Sequence, residues 1–545
     1  MKLNIRYNLN DVENTLTADL EKELSKQDDN LGYFAEINNG SFKIKVYPKK
    51  EVTFKEISVF LPIGLTSSDR IYFNGYSDWT YSYESDFNTI NYGLSKVPFG
   101  KFTINKFHLD RYGDYNFADY PVKNGYNHGW TYLYIRNNDD YKFYGSLNDD
   151  FAFTRFVFEK EKGITVIPDL NGYTTSESFT AIDVCYLIGD EDSVYDEYFK
   201  LLKIEKPTAS RMVGYTSWYN HYQKISEDII INDLNGLDSL EQKVDMFQID
   251  DGYETFVGDW LDVDSKKFKN GLKDTVTNIH NKGYKAGLWL APFSAETNSR
   301  LYKEHPEYFL RDDKGDIVAA GSNWSGFYAL DIYKVEVRQY LKKVFDTIFN
   351  EWGFDLVKLD FLYSACIYPR PDKPRGKVMA DGMNFLRQLC KDKLILGCGV
   401  PCASGFGRVD YCRIGPDVSL DYDDKFYMQH LHNERNSTKH TMVNTIFRRG
   451  LDGRAFLNDP DVFILRDNNV KLTDEQKNQL AYINGLFGSV LFMSDDASKY
   501  DENKKEIYKK VINLKDKWTK VEVNDNKVTV LYEYEGNSEE IVIEL

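Results

Sequence analysis

The sequence lacks the features that direct a protein into a membrane or across one. No stretch of about 18 consecutive apolar residues is present, and the N-terminal stretch MKLNIRYNLNDVENTL has no apolar segment of the kind found in secretory signals. The 6 cysteines show no repeated CxxC spacing, as in proteins whose thiols stay reduced. We therefore expect a cytoplasmic protein with no membrane partner.

Signatures of nucleotide and nucleic-acid binding are also missing. The chain has no P-loop, and Gly397-Cys398-Gly399 lacks the third glycine and the trailing acidic residue of a dinucleotide fingerprint. Acidic residues number 85 and basic residues 68, which gives a net charge of −17. This negative balance disfavours a nucleic acid as partner and suits a neutral small-molecule substrate.

The chain of 545 residues is too long for one hydrophobic core, so we expect several domains. In residues 1–205, short runs such as 42–47 alternate apolar and polar residues and are separated by Gly, Asn and Asp. This pattern predicts an antiparallel β-sandwich, rich in the aromatic residues that make up 15% of the chain. Residues 515–545 alternate again and predict a small C-terminal β-domain.

Residues 206–514 show a different pattern, in which short apolar strands alternate with helix-length segments. The predicted strands are 212–216, 245–249, 285–290, 356–360, 394–398, 409–414, 455–457 and 489–493. Helical spacing of apolar residues predicts helices at 335–352 and at 473–486, the second beginning at Thr473 as its N-cap. Eight such units predict a (β/α)8 barrel, with a large active-site loop at 291–334.

Carboxylates follow several of these strands, at the end of the barrel where active sites lie. Asp250 and Asp251 follow strand two, Asp360 ends strand four, and Asp417 lies on a turn after strand six. Collecting like charges at one rim opposes stability, because the charges repel one another and lose part of their water. A single aspartate at such a place is often an ordinary loop or cap residue, but the whole set indicates a catalytic site.

Two of these aspartates are candidates for a nucleophile and a general acid. Lys358 and Asp360 are two residues apart on a strand, so their side chains share a face, and a nearby cation favours the ionised form that a nucleophile needs. A structural ion pair is the alternative. Asp417 follows Gly415-Pro416 on a constrained turn. Away from cations, such a carboxylic acid would keep its proton and act as a general acid.

The same rim offers groups that bind sugars. Asp250 and Asp251 would accept hydrogen bonds from vicinal hydroxyl groups. Trp289 in strand three would offer an apolar surface to a sugar ring, and a buried tryptophan of the barrel core is the alternative.

Several motifs resemble those of the α-galactosidases of glycoside hydrolase family 36, and they occur in the order of that family. They are Asp250-Asp251-Gly252, the GLWLAPF stretch at 287–293, VKLDFL at 357–362, LGCGVP at 396–401, RIGPD at 413–417 and Asn458-Asp459-Pro460-Asp461. The resemblance extends over about residues 212–496. It implies an N-terminal β-supersandwich, a central (β/α)8 barrel and a C-terminal β-domain, with no metal and no organic cofactor.

The resemblance also implies roles for individual residues. It makes Asp360 the nucleophile and Asp417 the general acid/base, in a galactose pocket lined by Asp250, Asp251, Trp289, Lys358, Cys398 and Arg413. The NGYSDW stretch at 74–79 is similar to a sandwich loop that reaches the pocket, so Trp79 is expected to close it. This stretch reads Ser-Asp-Trp where the family has Gln-Ser-Trp. Larger family members often form oligomers, which makes a homo-oligomer a further expectation.

The implied reaction is retaining hydrolysis of a terminal α-linked galactose from sugars of the melibiose or raffinose type. Asp360 would attack the anomeric carbon while Asp417 protonates the leaving oxygen, and water activated by Asp417 would then cleave the galactosyl-enzyme. Three alternatives remain open: an α-N-acetylgalactosaminidase, a galactosyl transferase of the raffinose- or stachyose-forming kind, and a barrel that binds a sugar without turnover.

Overall fold

The structure is a computed structural model that describes residues 1–66, 68–423, 428–431, 433–515, 517–524 and 526–545. The N-terminal part folds into antiparallel sheets, as the alternating runs predict. Its strands are β1 (Lys2–Leu9), β2 (Val12–Asp19), β3 (Ser25–Gln27), β4 (Leu31–Asn38), β5 (Ser41–Pro48), β6 (Val52–Pro62), β7 (Arg70–Phe73), β8 (Glu84–Ser85), β9 (Tyr126–Trp130), β10 (Tyr132–Asn137), β11 (Asp140–Ser146), β12 (Thr154–Glu159), β13 (Gly163–Pro168), β14 (Thr174–Thr175) and β15 (Phe179–Gly189).

These strands form two sheets that share a core. One sheet has the order β2-β1-β6-β13-β12-β9, with β14 beside β6, and the other has the order β3-β4-β5-β15-β11-β10-β7-β8. Ile5 and Val59 of the first sheet and Ile44 and Val184 of the second belong to one buried apolar cluster. Alternate residues of each strand point into this cluster because side chains of a strand alternate between its faces.

The central part contains a curled parallel sheet. Its strands are β16 (Met212–Thr216), β17 (Met246–Ile249), β18 (Lys285–Leu290), β22 (Leu356–Leu359), β23 (Leu394–Gly397), β24 (Tyr411–Arg413), β25 (Leu457–Asp459), β26 (Val462–Phe463) and β27 (Val490–Met493). They pair in the order β25-β24-β23-β22-β18-β17-β16-β27-β26. The two edge strands β25 and β26 are neighbours in sequence, separated by Pro460 and Asp461, so one bent segment of chain pairs with both ends of the sheet.

The predicted strands agree with the strands of this sheet, except that the bounds of one strand are shifted along the sequence. Strands 212–216 and 285–290 have the predicted bounds, and most of the others lie within one or two residues of them. The strand predicted at 455–457 instead begins at Leu457, ends at Asp459 and resumes at Val462. Proline cannot donate a hydrogen bond to the sheet, and Asp461 has a φ of 70°, so the chain bends here.

Helices cover the sheets and connect the parallel strands. They are α1 (Lys101–Phe107), α2 (Glu191–Leu201), α3 (Trp218–His221), α4 (Glu227–Gly236), α5 (Leu272–Asn281), α6 (Arg300–Glu304), α7 (Val335–Asp346), α8 (Arg375–Cys390), α9 (Thr438–Phe447), α10 (Asp474–Phe487) and α11 (Glu502–Ile512). Shorter 3-10 turns span Leu109–Arg111, Leu237–Ser239, Pro306–Tyr308, Leu362–Cys366, Cys402–Gly405, Met428–Leu431, Arg449–Leu451 and Ala497–Lys499.

Both helices predicted from apolar spacing are present. The first runs as α7 and continues as a π-helical turn over Thr347–Trp352, after which Gly353 ends it with a φ of 89°. In the second, Thr473 caps α10 by accepting a hydrogen bond from the backbone N–H of Gln476, and the Gln476 side chain completes a capping box. Among the described residues, no helix has the length and apolar character needed to cross a membrane.

Two smaller sheets complete the fold. The predicted loop 291–334 carries strands β19 (Ser294–Glu296), β20 (Ala319–Gly321) and β21 (Phe327–Ala329), paired in the order β19-β21-β20. Near the C-terminus, β28 (Thr519–Asn524), β29 (Lys527–Tyr534) and β30 (Asn537–Glu544) form an antiparallel sheet. The first of these sheets lies directly after β18, and it therefore shapes the carboxyl end of the parallel sheet.

A buried arginine ties the N-terminal sheets to the parallel sheet. Arg448, which follows α9, is fully buried and donates from its guanidinium group to the carbonyl oxygens of Asp78, Ser77 and Ile414. It also donates to the side-chain oxygen of Asn74 at 3.1 Å. The loop 74–79 of the N-terminal part is thereby held against the rim of the parallel sheet.

We expect Arg448→Met to destabilise the protein strongly. The substitution leaves several buried oxygen atoms without a donor, and each such loss costs about 1–3 kcal/mol, so the total should be about 3 kcal/mol or more. Scanning calorimetry of the variant should show a clearly lower midpoint of thermal unfolding. Lys243→Met is the control, because its side chain is 86% exposed and makes one surface ion pair. Equal midpoints for the two variants would contradict this role of Arg448.

Candidate active site

A cavity of about 720 Å³ opens at the carboxyl ends of the parallel strands. Of the predicted site residues, those that line it are Trp79, Asp250, Asp251, Trp289, Lys358, Asp360 and Asp417. Cys398 and Arg413 are buried and are not among the lining residues. Each of them contacts a residue that lines the cavity. Cys398 accepts a hydrogen bond from Trp79, and Arg413 donates one to Asp417. The carboxylates meet in one cavity because parallel strands place their carboxyl ends at one edge of a sheet.

Asp360, directly after β22, is held by hydrogen bonds on both carboxylate oxygens. The indole N–H of Trp289 donates to Oδ2 at 2.9 Å, and the backbone N–H of Phe361 donates to Oδ1 at 2.8 Å. Phe361 has a φ of 52°, a left-handed conformation that non-glycine residues adopt mainly where the surrounding structure enforces it. Burial raises the pKa of Asp360, while Lys358 and the indole of Trp289 oppose that rise.

Trp289 contributes more than an apolar surface. Its side chain is 2% exposed, its ring packs edge-on against Trp260 with centroids 5.8 Å apart, and its N–H is committed to Asp360. The ring therefore belongs to the buried wall that fixes the orientation of Asp360, and it borders the cavity at the same time.

Lys358 makes its ion pair with a different aspartate from the one predicted. Its ammonium group lies 2.9 Å from Oδ2 of Asp250, and both side chains are buried. Gln248 also donates to that oxygen at 2.8 Å. Asp360 instead accepts hydrogen bonds from Trp289 and from the backbone N–H of Phe361. Lys358 still lowers the pKa of Asp360 through its charge.

The surroundings of Asp417 contradict the expectation that it lies away from cations. Arg413 donates to its Oδ1 at 2.9 Å. Arg413 and Asp417 are four positions apart, and the segment Ile414-Gly415-Pro416 that follows β24 brings the two side chains together. The Asp417 side chain is 34% exposed, so its other oxygen is available to the cavity.

Arg413 is shared among three carboxylates. Besides Asp417, its guanidinium group lies 2.9 Å from Asp461 and 3.3 Å from Asp459, and both of these are buried. Burial raises the pKa of Asp461 to about 7, although Arg413 lowers it and Asp417 raises it further. The hydroxyl of Tyr219 and the backbone N–H of Val418 donate to Asp461 as well. The single guanidinium group of Arg413 is thus the shared partner of three carboxyl groups.

Asp251 forms a second acidic pair with Glu254. The indole N–H of Trp324 donates to Asp251 at 2.8 Å, and the Gln223 amide donates at 3.0 Å. Burial raises the pKa of Asp251, and burial together with Asp251 raises the pKa of Glu254 well above its usual range.

Trp79 reaches the cavity from the N-terminal sheets. Its indole N–H donates to the sulfur of Cys398 at 3.3 Å, and its ring packs edge-on against Phe361 with centroids 5.2 Å apart. Gly399 lies beneath it with a φ of 59°, and a Cβ atom at that position would lie 2.8 Å from the indole ring. Trp79 is therefore seated by the chain that follows β23.

The sequence did not predict several residues that line the cavity. Trp324 comes from the loop 291–334, whose presence was predicted but whose contacts depend on its fold. Trp218, at the start of α3, is another. Residues 97–112 of the N-terminal part form a further stretch of the cavity wall, and no sequence pattern indicated it. Within the described ranges, His, Cys, Asp and Glu side chains form no group of three or more that could hold a metal ion.

Comparison with protein families and curated proteins identifies similar chains. The melibiase family model matches residues 193–381. Mel36A, an α-galactosidase of Lactobacillus acidophilus, is 31% identical over 217 residues, which are 37% of this chain and 28% of that protein. An A type blood α-D-galactosamine galactosaminidase of Flavonifractor plautii is 34% identical over 145 residues, which are 25% of this chain and 13% of that protein. The aligned segments thus span less than a third of these relatives.

Solved structures are similar over most of the chain. The α-galactosidase TtGalA from Thermus thermophilus, determined in complex with p-nitrophenyl α-D-galactopyranoside, has a TM-score of 0.71 at 22% identity and covers 97% of both chains. The family 36 α-galactosidase AgaA from Geobacillus stearothermophilus has a TM-score of 0.60 at 13% identity, over 94% of this chain and 72% of its own. Together, the sequence and structure comparisons confirm the predicted resemblance to family 36 α-galactosidases.

The buried carboxyl group of Asp78, next to Trp79, predicts a pH-dependent stability. Burial raises the pKa of Asp78 to about 8 from an ordinary value of 3.8. Between these values the unfolded chain releases a proton that the folded chain retains, so the contribution of Asp78 to stability falls as pH rises from about 4 to about 8. Asp78→Asn removes this proton equilibrium, and the midpoint of thermal unfolding of the variant should rise relative to wild type across that range.

Scanning calorimetry of the wild type and of the Asp78→Asn variant at several pH values between 5 and 8 measures how the difference between their unfolding midpoints depends on pH. Asp192→Asn controls for the change in net charge, because the Asp192 side chain is 85% exposed. If the difference between the Asp78→Asn variant and wild type does not change with pH, Asp78 does not hold a proton in the folded protein.

Proposed function

We propose that this chain is a retaining α-galactosidase in which Asp360 is the nucleophile and Asp417 the general acid/base. The observation that carries the proposal is their pairing: both line one cavity, Asp360 with both oxygens fixed by donors and Asp417 with one oxygen open. A retaining mechanism requires carboxyl groups about 5–5.5 Å apart, one as nucleophile and one as acid and then base. The names of the relatives support galactose as the sugar that is transferred.

In the first step, Asp360 attacks the anomeric carbon. The N–H groups of Trp289 and Phe361 hold its carboxylate in one orientation, which lowers the entropy cost of reaching the transition state. Burial disfavours the ionised form, but the indole N–H and the charge of Lys358 favour it. Asp360 is thus a desolvated carboxylate with fixed donors, which suits a nucleophile.

Asp417 delivers a proton to the leaving oxygen and later removes one from water. Arg413 holds one oxygen of Asp417 at 2.9 Å, and the other oxygen is available to the cavity, where the proton is exchanged with the leaving group and with water. Arg413 also contacts Asp459 and Asp461, which are more deeply buried than Asp417. This shared guanidinium group fixes the position of Asp417 at the cavity.

The remaining lining residues form the proposed galactose site. Asp250, Asp251 and Lys358 supply charged groups to the sugar hydroxyls, with Trp289 as wall and Trp79 as the closing ring. Cys398 and Arg413 act from behind the wall, by seating Trp79 and by holding Asp417. This assignment keeps all predicted site residues and moves these two out of direct contact with the sugar.

The domain division remains part of the proposal. We propose a β-supersandwich at 1–205, a (β/α)8 barrel at 206–514 and a C-terminal β-domain at 515–545. The order of the curled sheet supports the barrel, since the segment containing β25 and β26 pairs with both of its ends. We further propose a cytoplasmic location, supported by 6 cysteines that are all buried free thiols. A homo-oligomer stays a prediction, which analytical ultracentrifugation would test.

Substitution of the two catalytic aspartates should have different consequences. Asp360→Ala should nearly abolish turnover of every galactoside, because no covalent intermediate can form. Asp417→Ala should slow cleavage of melibiose and raffinose by about 10²–10⁴-fold, and it should slow the first step on nitrophenyl galactosides far less, because nitrophenolate leaves without a proton. Stopped-flow and steady-state rates on both substrate types measure the contrast.

Asp496→Ala is the matched control for this experiment, since Asp496 also follows a strand of the parallel sheet but lies outside the cavity. Equal losses on both substrate types would contradict the acid role of Asp417. Retention is checked by NMR, in which the first galactose released should be the α-anomer.

A panel of nitrophenyl glycosides distinguishes the alternatives. It contains the α-galactoside, the α-N-acetylgalactosaminide, the α-galactosaminide, the α-glucoside and the β-galactoside. We expect fast release from the α-galactoside. A preference for either amino sugar would keep the proposed mechanism and change the specificity; the relative from Flavonifractor plautii carries the name of a galactosaminidase. New oligosaccharides in place of free galactose would indicate a transferase, and no turnover on any substrate would contradict an enzymatic role.

A further inference from the structure

The cavity has an apolar wall that comes from the N-terminal sheets rather than from the parallel sheet. Residues 97–112 lie within the connection between β8 and β9, and those that line the cavity include Val97, Pro98, Phe99, Phe107 and Leu109. We call this set the apolar wall. It carries no charge, in contrast to the carboxylates and the lysine at the strand ends.

Two hydroxyl groups lie in the same segment, and both are engaged within the protein. The hydroxyl of Thr103 donates to the carbonyl oxygen of Pro98 at 2.6 Å. The hydroxyl of Tyr112 donates to the side chain of Asn323 at 2.6 Å and accepts from the backbone N–H of Ser322 at 3.3 Å. A second sugar ring would find few free donors on this wall, whereas an apolar group would lose nothing by contact with it.

The phenylalanines of this segment are exposed to an unusual degree. Phe99 is 89% exposed and Phe107 45% exposed, and helix α1, which ends at Phe107, has no buried residue. Phe99 also has a φ of 61°, so its backbone is held in a conformation that costs energy. Exposed aromatic side chains that border a cavity are typical of binding surfaces.

The position of the wall within the cavity indicates what it binds. The strand ends provide the proposed galactose site, so the part of the cavity bordered by the apolar wall is left for the leaving group. A cavity of about 720 Å³ holds a ligand larger than a single sugar ring. We propose that the apolar wall is a leaving-group subsite, and that the preferred substrates are α-galactosides with an apolar alkyl or acyl aglycone. This inference rests on the proposed α-galactosidase activity.

The test compares methyl and octyl α-D-galactoside, which share the sugar and the alkoxide chemistry and differ in apolar length. Initial rates of galactose release are measured below the critical micelle concentration of the octyl compound. We expect kcat/KM to favour the octyl galactoside by roughly tenfold or more, mainly through KM, because each methylene buried against the wall strengthens binding. In the double variant Phe99→Ser/Phe107→Ser this ratio should fall towards one.

Phe102→Ser is the matched control. Phe102 lies on the same helix and is 71% exposed, but it does not line the cavity, so this variant should keep the wild-type ratio. Sedimentation velocity of all variants shows whether the exposed phenylalanines instead join two copies of this chain.

Each other outcome decides against the proposal. A ratio near one in a wild-type enzyme that hydrolyses nitrophenyl α-galactoside would overturn the subsite and leave the proposed function intact. A ratio that survives in the double variant would overturn it as well. Loss of the ratio in Phe102→Ser together with a change in sedimentation would assign the surface to contacts between copies. Failure to hydrolyse any α-galactoside would overturn both proposals.

Discussion

The sharing of Arg413 by three carboxylates is the interaction on which the rest of the site depends. Without this cation, Asp459 and Asp461 would be buried charges at the bend between β25 and β26, and Asp417 would lose its partner at the cavity. Buried charges persist only when they are paired and hydrogen-bonded. The arginine therefore stabilises the bend that pairs with both ends of the parallel sheet and also places the proposed acid.

A second constraint is the attachment of the N-terminal sheets to the rim. Arg448 holds the loop 74–79, and Trp79 in that loop reaches over Gly399 to the cavity. The segment 97–112 belongs to the same N-terminal part and lines the same cavity. The N-terminal part thus contributes one aromatic ring near the proposed galactose site and an apolar surface farther out. If both proposals hold, a change in residues 97–112 would alter specificity for the leaving group without disturbing the strand ends that carry the proposed catalytic residues.

The sequence predicted the parallel strands well because buried parallel strands are short, continuous apolar runs bounded by loop residues. Strand 285–290 illustrates this success, and the strand predicted at 455–457 illustrates the limit. There the chain bends at Pro460 and pairs on both sides, and no local pattern indicates which neighbours a strand will have. The same limit explains Lys358, whose face was predicted correctly but whose partner is Asp250 rather than Asp360.

By itself, the sequence determined which residues could perform the chemistry. Carboxylates at the ends of apolar strands, and motifs in the order of a known family, indicated Asp360 and Asp417 without any coordinates. Only the tertiary structure decided their surroundings: that Arg413 reaches Asp417, that Trp324 reaches Asp251, and that residues 97–112 border the cavity. The physical reason is the distance in sequence between the residues that interact. Strand ends follow from local periodicity, whereas ion pairs, burial and cavity walls depend on residues far apart in sequence.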